Sequence, residues 1–354
     1  MEFGIAYPAR PDAWKDLVIA EERGFTHAWF YDSQMIYSDV YACMALAAEH
    51  TKKIKLATGV AIPSNRIAPV TAHSIATINL LAPGRAILGI GTGFTGRNTM
   101  GLPPVPLAVV RDYIQQCRTL LQGDDLLYRD GSRARWIKFL HPNHGYINLK
   151  DPIPIYFAAN GPKALALTGE LADGWITTLS DPASFKKNLA AVEKGATQAG
   201  RTIKDFPAIA LSTGCVLRPG ESPTAPRVIE RIGPFVAVAL HALWERSTVA
   251  ADLPAPLREL YTRYNEEYVA RMKTPADRRY LEVHEGHLIY LKPGEERYVN
   301  ETLIRGFSLT GTGEEIIARL KALEAVGLKQ VAIQVVNNGR EMIEEFSREV
   351  LAKY

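Results

Sequence analysis

The sequence predicts a (β/α)8 TIM barrel, an α/β fold, with insertions, built as a single domain over residues 1–354. Short apolar runs alternate with longer segments of helical periodicity, and eight such strand–helix units can be counted along the chain. Continuous apolar strands that are each followed by a helix indicate a parallel sheet with helices covering its outer face. A doubly wound sheet is the alternative. It usually has fewer units and an early GxGxxG motif, which the first strand–helix turn lacks.

The elements follow one another in regular order. The apolar runs predict eight strands, at residues 3–8, 26–32, 53–63, 85–92, 152–159, 174–178, 206–217 and 329–336. The segments with helical spacing predict the intervening helices, at residues 12–24, 38–50, 68–84, 106–123, 162–173, 182–200, 313–327 and 340–354. Several of these helices end at a glycine, which is a common helix stop.

Two stretches interrupt the alternation and are predicted to be insertions. The first covers about residues 123–151 and resembles a β-hairpin. The second covers about residues 218–310 and contains two segments of helical period, 227–246 and 256–272. The aromatic residues of the second insertion are expected either to line an apolar substrate pocket or to pack its helices together. They are Trp244, Tyr261, Tyr264 and Tyr268.

Composition and charge exclude several classes of protein. The net charge is +3 and the Lys and Arg residues are scattered, so neither a nucleic-acid partner nor a membrane partner is expected. The three cysteines are far apart, which favours a reducing compartment. The N-terminus does not resemble a signal peptide, and no apolar run is long enough to span a membrane. We therefore expect a cytoplasmic protein.

The functional residues of such a barrel are expected at the carboxyl ends of its strands. Strand two ends in Asp32 and Ser33, which are candidate catalytic residues because burial and local hydrogen bonds could tune a carboxyl group there. An ordinary role for Asp32 as a strand-end cap is equally open. No GxSxG elbow occurs, which disfavours a serine hydrolase. His284 and His287 stand in "HEGH", which lacks the HExxH spacing, so no metal site is expected.

Two further strand ends suggest a bound anion. The segment "GIGTGFTGRNTMG" follows strand four, and Arg97 within it could offer a counter-charge. The segment "NGPK" begins a helix, where free N–H groups and Lys163 could hold a phosphate; a plain helix start with a solvated lysine is the alternative. A site that is rich in glycine and poor in nucleophiles fits an enzyme whose cofactor carries out the chemistry.

Four segments of the chain together resemble the bacterial luciferase-like family of flavin- and deazaflavin-dependent oxidoreductases. The segments are "AEERGFTHAWFYDS", "KLATGVAIPSNRIAPVTAHSIATINLLAPGRAILGIGTG", "PIYFAANGPKALALTGELADGWITT" and "GTGEEIIARLKALEAVGLKQVAIQVV". The third is most similar to methylenetetrahydromethanopterin reductases. The resemblance covers nearly the whole chain and is weakest at about residues 218–305.

The resemblance implies a barrel that holds FMN or coenzyme F420 at its carboxyl-end mouth. It implies a non-prolyl cis peptide in the third-strand bulge, at Gly59–Val60, against one face of the cofactor ring. The glycines after strand four would let the backbone approach the cofactor. The implied cofactor-binding residues are Gly59, Val60, Gly91, Thr92, Gly93, Arg97, Asn160, Gly161, Pro162 and Lys163.

Three functions are compatible with this resemblance. Many F420-dependent relatives carry Asp-His where this chain has Asp32-Ser33, and methanopterin-type reductases carry an aspartate where it has Phe94. These departures favour an FMN-dependent monooxygenase, which uses reduced FMN from a separate flavin reductase and dioxygen on a small organic substrate. An F420-dependent reductase or dehydrogenase that transfers a hydride is the first alternative. A non-catalytic flavin-binding protein is the second.

The resemblance also implies a homodimer built on the helices after strands two and three. Both helices are apolar around much of their circumference, more than one buried stripe requires. Small residues such as Ala45 and Ala76 are expected to allow close approach of two copies across a two-fold axis. Burial of both helices within one chain is the alternative.

Overall fold

A computed structural model describes all 354 residues, and it contains a closed barrel of eight parallel strands. The predicted fold class is therefore confirmed. Going around the barrel, the strands follow the order β1, β12, β9, β8, β7, β4, β3 and β2. Their bounds are β1 Glu2–Pro8, β2 His27–Tyr31, β3 Lys55–Thr58, β4 Ala86–Ile90, β7 Ile155–Ala158, β8 Gly174–Thr178, β9 Ala208–Ser212 and β12 Gln330–Gln334.

Helices cover the outside of the barrel and also form much of the second insertion. The helices that alternate with barrel strands are α1 Trp14–Glu22, α2 Val40–His50, α3 Ala68–Leu81, α5 Leu107–Leu121, α6 Pro162–Leu171, α7 Pro182–Gln198, α12 Gly313–Glu324 and α13 Gly339–Glu349. The others are the short α4 Phe94–Asn98 and, in the insertion, α8 Pro226–Glu245, α9 Ala255–Arg263, α10 Arg279–Val283 and α11 Glu301–Phe307. None of the helices combines the length and apolar character that crossing a bilayer requires.

The ends of several helices are fixed by polar side chains. Asp39 accepts a hydrogen bond from the backbone N–H of Ala42 at the start of α2. Asp181 accepts one from the backbone N–H of Ser184 at the start of α7. Thr312 and Glu315 form a reciprocal capping box at the start of α12. These caps satisfy N–H groups that a helix leaves free in its first turn.

The first insertion forms a hairpin, as the sequence predicts. Strand β5, Leu126–Asp130, pairs in antiparallel fashion with β6, Arg133–Ile137. The hairpin stands on the outside of the barrel, between α5 and β7 in the chain.

The seventh predicted strand, residues 206–217, is wrong as one continuous strand. The chain leaves the barrel after Ser212 and continues as β10, Gly214–Val216, which pairs in parallel with β11, Leu309–Gly311. Gly214 permits this pairing because a Cβ there would lie 2.8 Å from the carbonyl oxygen of Leu309. Residues 217–308 lie between these two strands and are called the large insertion below. The pair β10–β11 therefore joins both ends of the large insertion at the base.

The large insertion has an apolar core separate from that of the barrel. Side chains of α8, α9 and α11 meet there, among them Val228, Ile232, Val236, Leu260 and Leu303. The barrel interior is packed by its own group, including Trp29, Ile87, Ile176 and Ile209. Two buried polar bonds cross this interior, from Trp29 Nε1 to Gln330 Oε1 at 2.8 Å and from Tyr31 Oη to Gln334 Oε1 at 2.9 Å.

Helices α6 and α7 approach so closely that each needs a glycine at the contact. A Cβ at Gly195 would lie 2.2 Å from the carbonyl oxygen of Ala166, and one at Gly169 would lie 1.9 Å from that of Val192. No real Cβ tolerates such distances, so the separation of the two helices depends on both glycines. Since α6 begins at the barrel mouth, this packing also positions its first turn.

We expect Gly195→Ala to lower the free energy of unfolding by about 2 kcal/mol, because overpacking of a rigid backbone contact outweighs the better helix propensity of alanine. Urea denaturation measures the change. The matched control is Gly306→Ala in α11, where an added Cβ meets no atom within 4 Å. The control should be neutral or stabilise by up to about 1 kcal/mol. Equal stability of the Gly195→Ala variant and the wild type would contradict the contact.

Candidate cofactor and substrate site

A cavity of about 1210 Å³ opens at the carboxyl ends of the barrel strands. Its barrel side is formed by the ends of β2, β3, β4, β7, β8 and β9, and its other side by the large insertion. Half of the residues that line it are hydrophobic. A mostly apolar cleft of this size is typical of a site for a small molecule and can hold a cofactor together with a substrate.

The wall at the end of β3 is a bulge whose backbone is fixed by the neighbouring strand. The peptide bond Gly59–Val60 is cis, as the sequence resemblance implied, and both residues line the cavity. Ala61 N–H donates to the carbonyl of Gly89 at 2.7 Å, and Gly91 N–H donates to the carbonyl of Ala61 at 3.0 Å. The bulge and the end of β4 therefore form one continuous wall.

Two of the glycines at the end of β4 make room for the β3 bulge. A Cβ at Gly89 would lie 2.1 Å from the carbonyl oxygen of Thr58, and one at Gly91 would lie 2.4 Å from Cγ2 of Val60. Gly93 has a φ of +84° and caps α4 in the left-handed region, and it lines the cavity. That the glycines of this segment let the backbone approach a cofactor stays a prediction.

Arg97 does not offer a charge to the cavity. It lies on α4, outside the cavity lining, and its Nε donates a hydrogen bond to the carbonyl of Pro103. Thr92 and Gly93 do line the cavity, together with Phe94, Thr95 and Gly96. Arg97 therefore braces the loop between α4 and α5, and the sequence-based interpretation of it as a counter-charge is not supported by its position.

The start of α6 is the part of the mouth that suits an anion. No side chain caps the first turn of α6, so its N–H groups remain available. Asn160 and Gly161 line the cavity and are exposed, and a Cβ at Gly161 would meet no atom within 4 Å. Pro162 and Lys163 follow in the first turn, where Lys163 is exposed beside the lining. Thr177 holds the Asn160 side chain through a 2.8 Å hydrogen bond to its Oδ1.

Asp32 and Ser33 occupy different environments although they are adjacent. The carboxylate of Asp32 is buried and accepts hydrogen bonds at 3.0 Å to both oxygens from Nη1 of Arg66, which also pairs with Asp39. Burial raises the pKa of Asp32 above its ordinary value, and Arg66 counteracts part of this increase. Asp32 is absent from the cavity lining, whereas Ser33 belongs to it. The geometry thus gives Asp32 a structural role and leaves Ser33 as the side chain that can touch a ligand.

The large insertion supplies an apolar wall, but not with all the residues that the sequence suggested. Trp244 lines the cavity. Tyr261 and Tyr264 are buried in the core of the insertion, and Tyr268 packs against that core. The cavity is lined instead by side chains on one side of α8 and by neighbouring segments, among them Phe235, Val238, Ala239, Leu243 and Leu288.

One polar group on this wall was considered from the sequence only as a metal ligand and not as part of the cavity. His287 lines the cavity, and its Nε2 lies 3.2 Å from Oγ1 of Thr95. Burial lowers its pKa well below the ordinary value, as do the neighbouring His241, His284 and Lys292. The signal that could have indicated it was the short spacing of "HEGH" within an otherwise apolar insertion.

A (β/α)8 barrel with a cofactor-sized cavity at the carboxyl ends of its strands belongs to a class that includes many oxidoreductases. The family model described as luciferase-like monooxygenase matches residues 7–330, and the chain belongs to this luciferase-like family of oxidoreductases. The resemblance seen in the sequence is therefore confirmed.

Individual relatives narrow the comparison. A 5,10-methylenetetrahydromethanopterin reductase of Methanolobus tindarius is 36% identical over 53% of this chain, which spans 56% of that relative's length. An F420-dependent glucose-6-phosphate dehydrogenase of Microbacterium testaceum is 28% identical over 86% of this chain and 91% of its own. The solved structure of the coenzyme F420-dependent tetrahydromethanopterin reductase of Methanopyrus kandleri superimposes with a TM-score of 0.73 at 23% identity, covering 100% and 99% of the two chains.

The ion pair behind the cavity wall leads to a test with a defined pH dependence. We expect Arg66→Met to lower the free energy of unfolding by about 3 kcal/mol at pH 7, because it leaves the buried carboxylate of Asp32 without its partner. Without Arg66 the pKa of Asp32 in the folded chain rises further above the ordinary 3.8. The folded state then binds more protons than the unfolded state, so stability falls as pH rises through this window and the loss shrinks towards pH 4.

Urea denaturation at pH 4 and pH 7 measures both effects. The control is Asp39→Asn, which removes the exposed carboxylate that pairs with Arg66 but keeps a side-chain oxygen to cap α2. This variant should lower the free energy of unfolding by at most about 1 kcal/mol. A loss in Arg66→Met that does not change with pH would rule out Asp32 as its source.

Proposed function

We propose that this protein is an F420-dependent oxidoreductase that transfers a hydride between the deazaflavin and a small organic substrate. The observation that carries the proposal is the similarity to an F420-dependent dehydrogenase over 86% of the chain, with a methanopterin reductase similar over 53% of it. These comparisons favour the hydride-transfer alternative over the FMN monooxygenase that the sequence alone favoured. They give the non-catalytic alternative no support.

The residues around the cavity fit this cofactor. The volume of about 1210 Å³ accommodates a tricyclic ring and leaves space for a substrate. The bulge at Gly59 and Val60 forms a cavity wall against which one face of such a ring can lie. The uncapped start of α6, with Lys163 beside it, offers N–H groups and a positive charge to the phosphate. Because Asn160, Gly161 and Lys163 are exposed, the anionic chain beyond the phosphate of F420 would remain in water.

The chain itself contributes binding, orientation and exclusion of water. F420, when bound, supplies or accepts the hydride. Ser33 and Thr95 present hydroxyl groups at the cavity wall, where they can hydrogen-bond an oxygen of the substrate. The apolar side chains of α8 cover the opposite wall and keep water from the reacting atoms, which strengthens these polar contacts. The apolar wall favours a substrate with a largely hydrocarbon body.

One anaerobic assay with F420 and one aerobic assay with FMN distinguish hydride transfer from oxygenation. Reduced F420 should bind and be oxidised anaerobically by one or more members of a panel of aldehydes, ketones and cyclic imines, seen as recovery of absorbance at 420 nm. Reduced FMN with dioxygen should give no substrate oxygenation and no oxygen uptake above the uncatalysed rate. Substrate-dependent oxygen uptake with reduced FMN, together with no binding of F420, would contradict the proposal.

The phosphate site has its own test. We expect Lys163→Ala to weaken F420 binding about tenfold, equivalent to roughly 1.4 kcal/mol, through loss of one charge-assisted contact. Quenching of F420 fluorescence measures the affinity. The control is Lys194→Ala, an exposed lysine in the second half of α7 that lies outside the cavity lining. Equal affinities of the two variants would exclude Lys163 from the site.

We further propose that two copies associate through α2 and α3, with exposed apolar side chains in place of Ala76; Ala45 is half-buried and stays a candidate for the contact. Ala76 is fully buried within one chain, so it cannot form a contact between copies. Leu46, Val70 and Leu81 are exposed instead, at 41%, 46% and 44%. Val70 and Leu81 are about three turns apart and share one face of α3. An apolar face of this kind suits a two-fold interface.

We expect the double variant Val70→Glu/Leu81→Glu to be monomeric in light scattering while its circular dichroism stays unchanged. Leu281→Glu, at an equally exposed leucine of the large insertion, is the control and should remain dimeric. A wild-type protein that is already monomeric at micromolar concentration would disprove the association.

A further inference from the structure

Three histidines of the large insertion meet in its interior beside the cavity. They are His241 of α8 and His284 and His287, which follow α10. Each offers a ligand atom within 4.8 Å of those of the other two. All three are buried, with at most 5% of their surface exposed. His287 and the neighbouring Glu245 line the cavity, so the cluster adjoins the proposed substrate site.

One nitrogen of each ring is already held by an oxygen. Nε2 of His241 lies 2.8 Å from Oε1 of Glu295, and Nε2 of His284 lies 2.7 Å from Oε1 of Glu245. Nε2 of His287 lies 3.2 Å from Oγ1 of Thr95. The carboxylates of Glu295 and Glu245 accept from Nε2–H of His241 and His284, which leaves Nδ1 of both rings with a free lone pair. The hydroxyl of Thr95 can donate or accept, so it leaves the tautomer of His287 open.

One of the three Nδ1 atoms has no partner in the chain. Nδ1 of His241 is buried without any hydrogen-bond partner. Nδ1 of His284 lies 3.2 Å from Nδ1 of His287 and can accept a proton from it, while Nε2 of His287 accepts from Thr95. A buried polar atom without a partner, such as Nδ1 of His241, costs free energy and is rare. A cation between the three nitrogens would satisfy this atom and take the place of the proton between the other two.

We propose that His241, His284 and His287 bind a divalent transition-metal ion, with zinc as the first choice. Two nitrogens on a tetrahedral zinc ion are separated by about 3.3 Å, close to the 3.2 Å between His284 and His287. Bonds from the outer nitrogens to carboxylates are the usual support of histidine ligands. Three imidazoles leave one position of a tetrahedral ion for water or a substrate.

The charges around the cluster are two carboxylates and one ammonium group. Glu295 is paired with Lys292, whose Nζ lies 3.6 Å from its Oε1, so this carboxylate is already balanced. The carboxylate of Glu245 is hydrogen-bonded to the ring of His284 and is paired with no Lys or Arg. With His284 neutral, an ion bound to its ring would balance the charge of Glu245 through the ring.

The sequence analysis expected no metal site because "HEGH" lacks the HExxH spacing. That spacing is a rule for two ligands on one helix, so its absence does not exclude the present site. The histidines of "HEGH" lie three residues apart at the end of α10, where the chain is no longer helical, so the HExxH rule for one helix face does not apply to them. The third histidine comes from α8, far away in the sequence, and only the folded insertion brings it close. No local motif could have indicated it.

The ion has a direct use in the proposed reaction, and this step rests on the proposed function. Of the three histidines only His287 lines the cavity, so the step requires the fourth position of the ion to open towards it; the ion would then bind the oxygen of a carbonyl or alcohol substrate and stabilise negative charge on that oxygen as a Lewis acid. In carbonyl reduction the hydride adds to carbon, the C=O π electrons move to the oxygen, and a proton from solvent completes the alcohol. The chain would then combine a deazaflavin with a metal-polarised substrate.

The metal site is tested without the reaction by titrating chelator-treated protein with Co²⁺ and Zn²⁺. We expect one equivalent to bind, with visible Co²⁺ absorption of the intensity typical of tetrahedral nitrogen coordination, and Zn²⁺ to displace it. His241→Ala should weaken Zn²⁺ binding at least 100-fold. The control is the double variant His141→Ala/His144→Ala, which removes the exposed histidine pair after the hairpin and should bind Zn²⁺ like the wild type.

Two further results decide the proposal if His241→Ala fails to fold. Glu245→Gln keeps the shape of its side chain and should weaken Zn²⁺ binding about 10- to 100-fold. Failure of the wild type to bind either ion, or binding that survives in both His241→Ala and Glu245→Gln, would overturn the site. The catalytic role is judged separately: chelation should leave F420 affinity unchanged and abolish turnover, and unchanged turnover would overturn that role while leaving the metal site and the oxidoreductase function standing.

Discussion

The close packing of the β3 bulge against the end of β4 is the constraint on which the cavity depends. Gly59 N–H donates to the carbonyl of Phe30 at 2.6 Å, and the bonds between Ala61 and β4 continue the pairing beyond the regular strand. Glycine at positions 89 and 91 is required because any side chain there would collide with Thr58 or Val60. Part of the most conspicuous glycine-rich segment of the sequence therefore shapes the wall of the cavity.

The large insertion completes the site because it is fastened to the barrel at two places. At its base, β10 pairs with β11. At the cavity, Tyr37 Oη donates to the carbonyl of His287 at 3.1 Å and Gln334 Nε2 donates to that of Leu288 at 3.0 Å. These bonds place the histidine-containing segment against the ends of β2 and β12. The side of the cavity that the large insertion forms is thus held by hydrogen bonds to its backbone and does not rest on apolar packing alone.

The fold could be predicted from the sequence because its elements are local. Apolar runs and helical periods are patterns of neighbouring residues, so the positions of the eight barrel strands and the start of α6 at Pro162 were found, although the seventh strand was predicted too long. Pairings between distant segments were not visible. The exit of the chain at Thr213 depends on β11, nearly a hundred residues later, and the environment of Asp32 depends on Arg66. The interpretation of Arg97 as a counter-charge missed its contact for the same reason, since its Nε donates to the backbone carbonyl of Pro103, which no sequence motif indicates. The histidine cluster combines α8 with the turn after α10, which are distant in the sequence, so no local pattern could predict it.

The most direct measurement of the central claim is a crystal structure of the protein with F420 bound. The account predicts that the deazaflavin ring lies in the cavity against Gly59 and Val60, with its phosphate in hydrogen-bond contact with the first turn of α6 near Gly161 and Lys163. It also predicts that the space between the ring and α8 remains free for a substrate. A cofactor bound outside the cavity, or with its phosphate away from α6, would contradict the account.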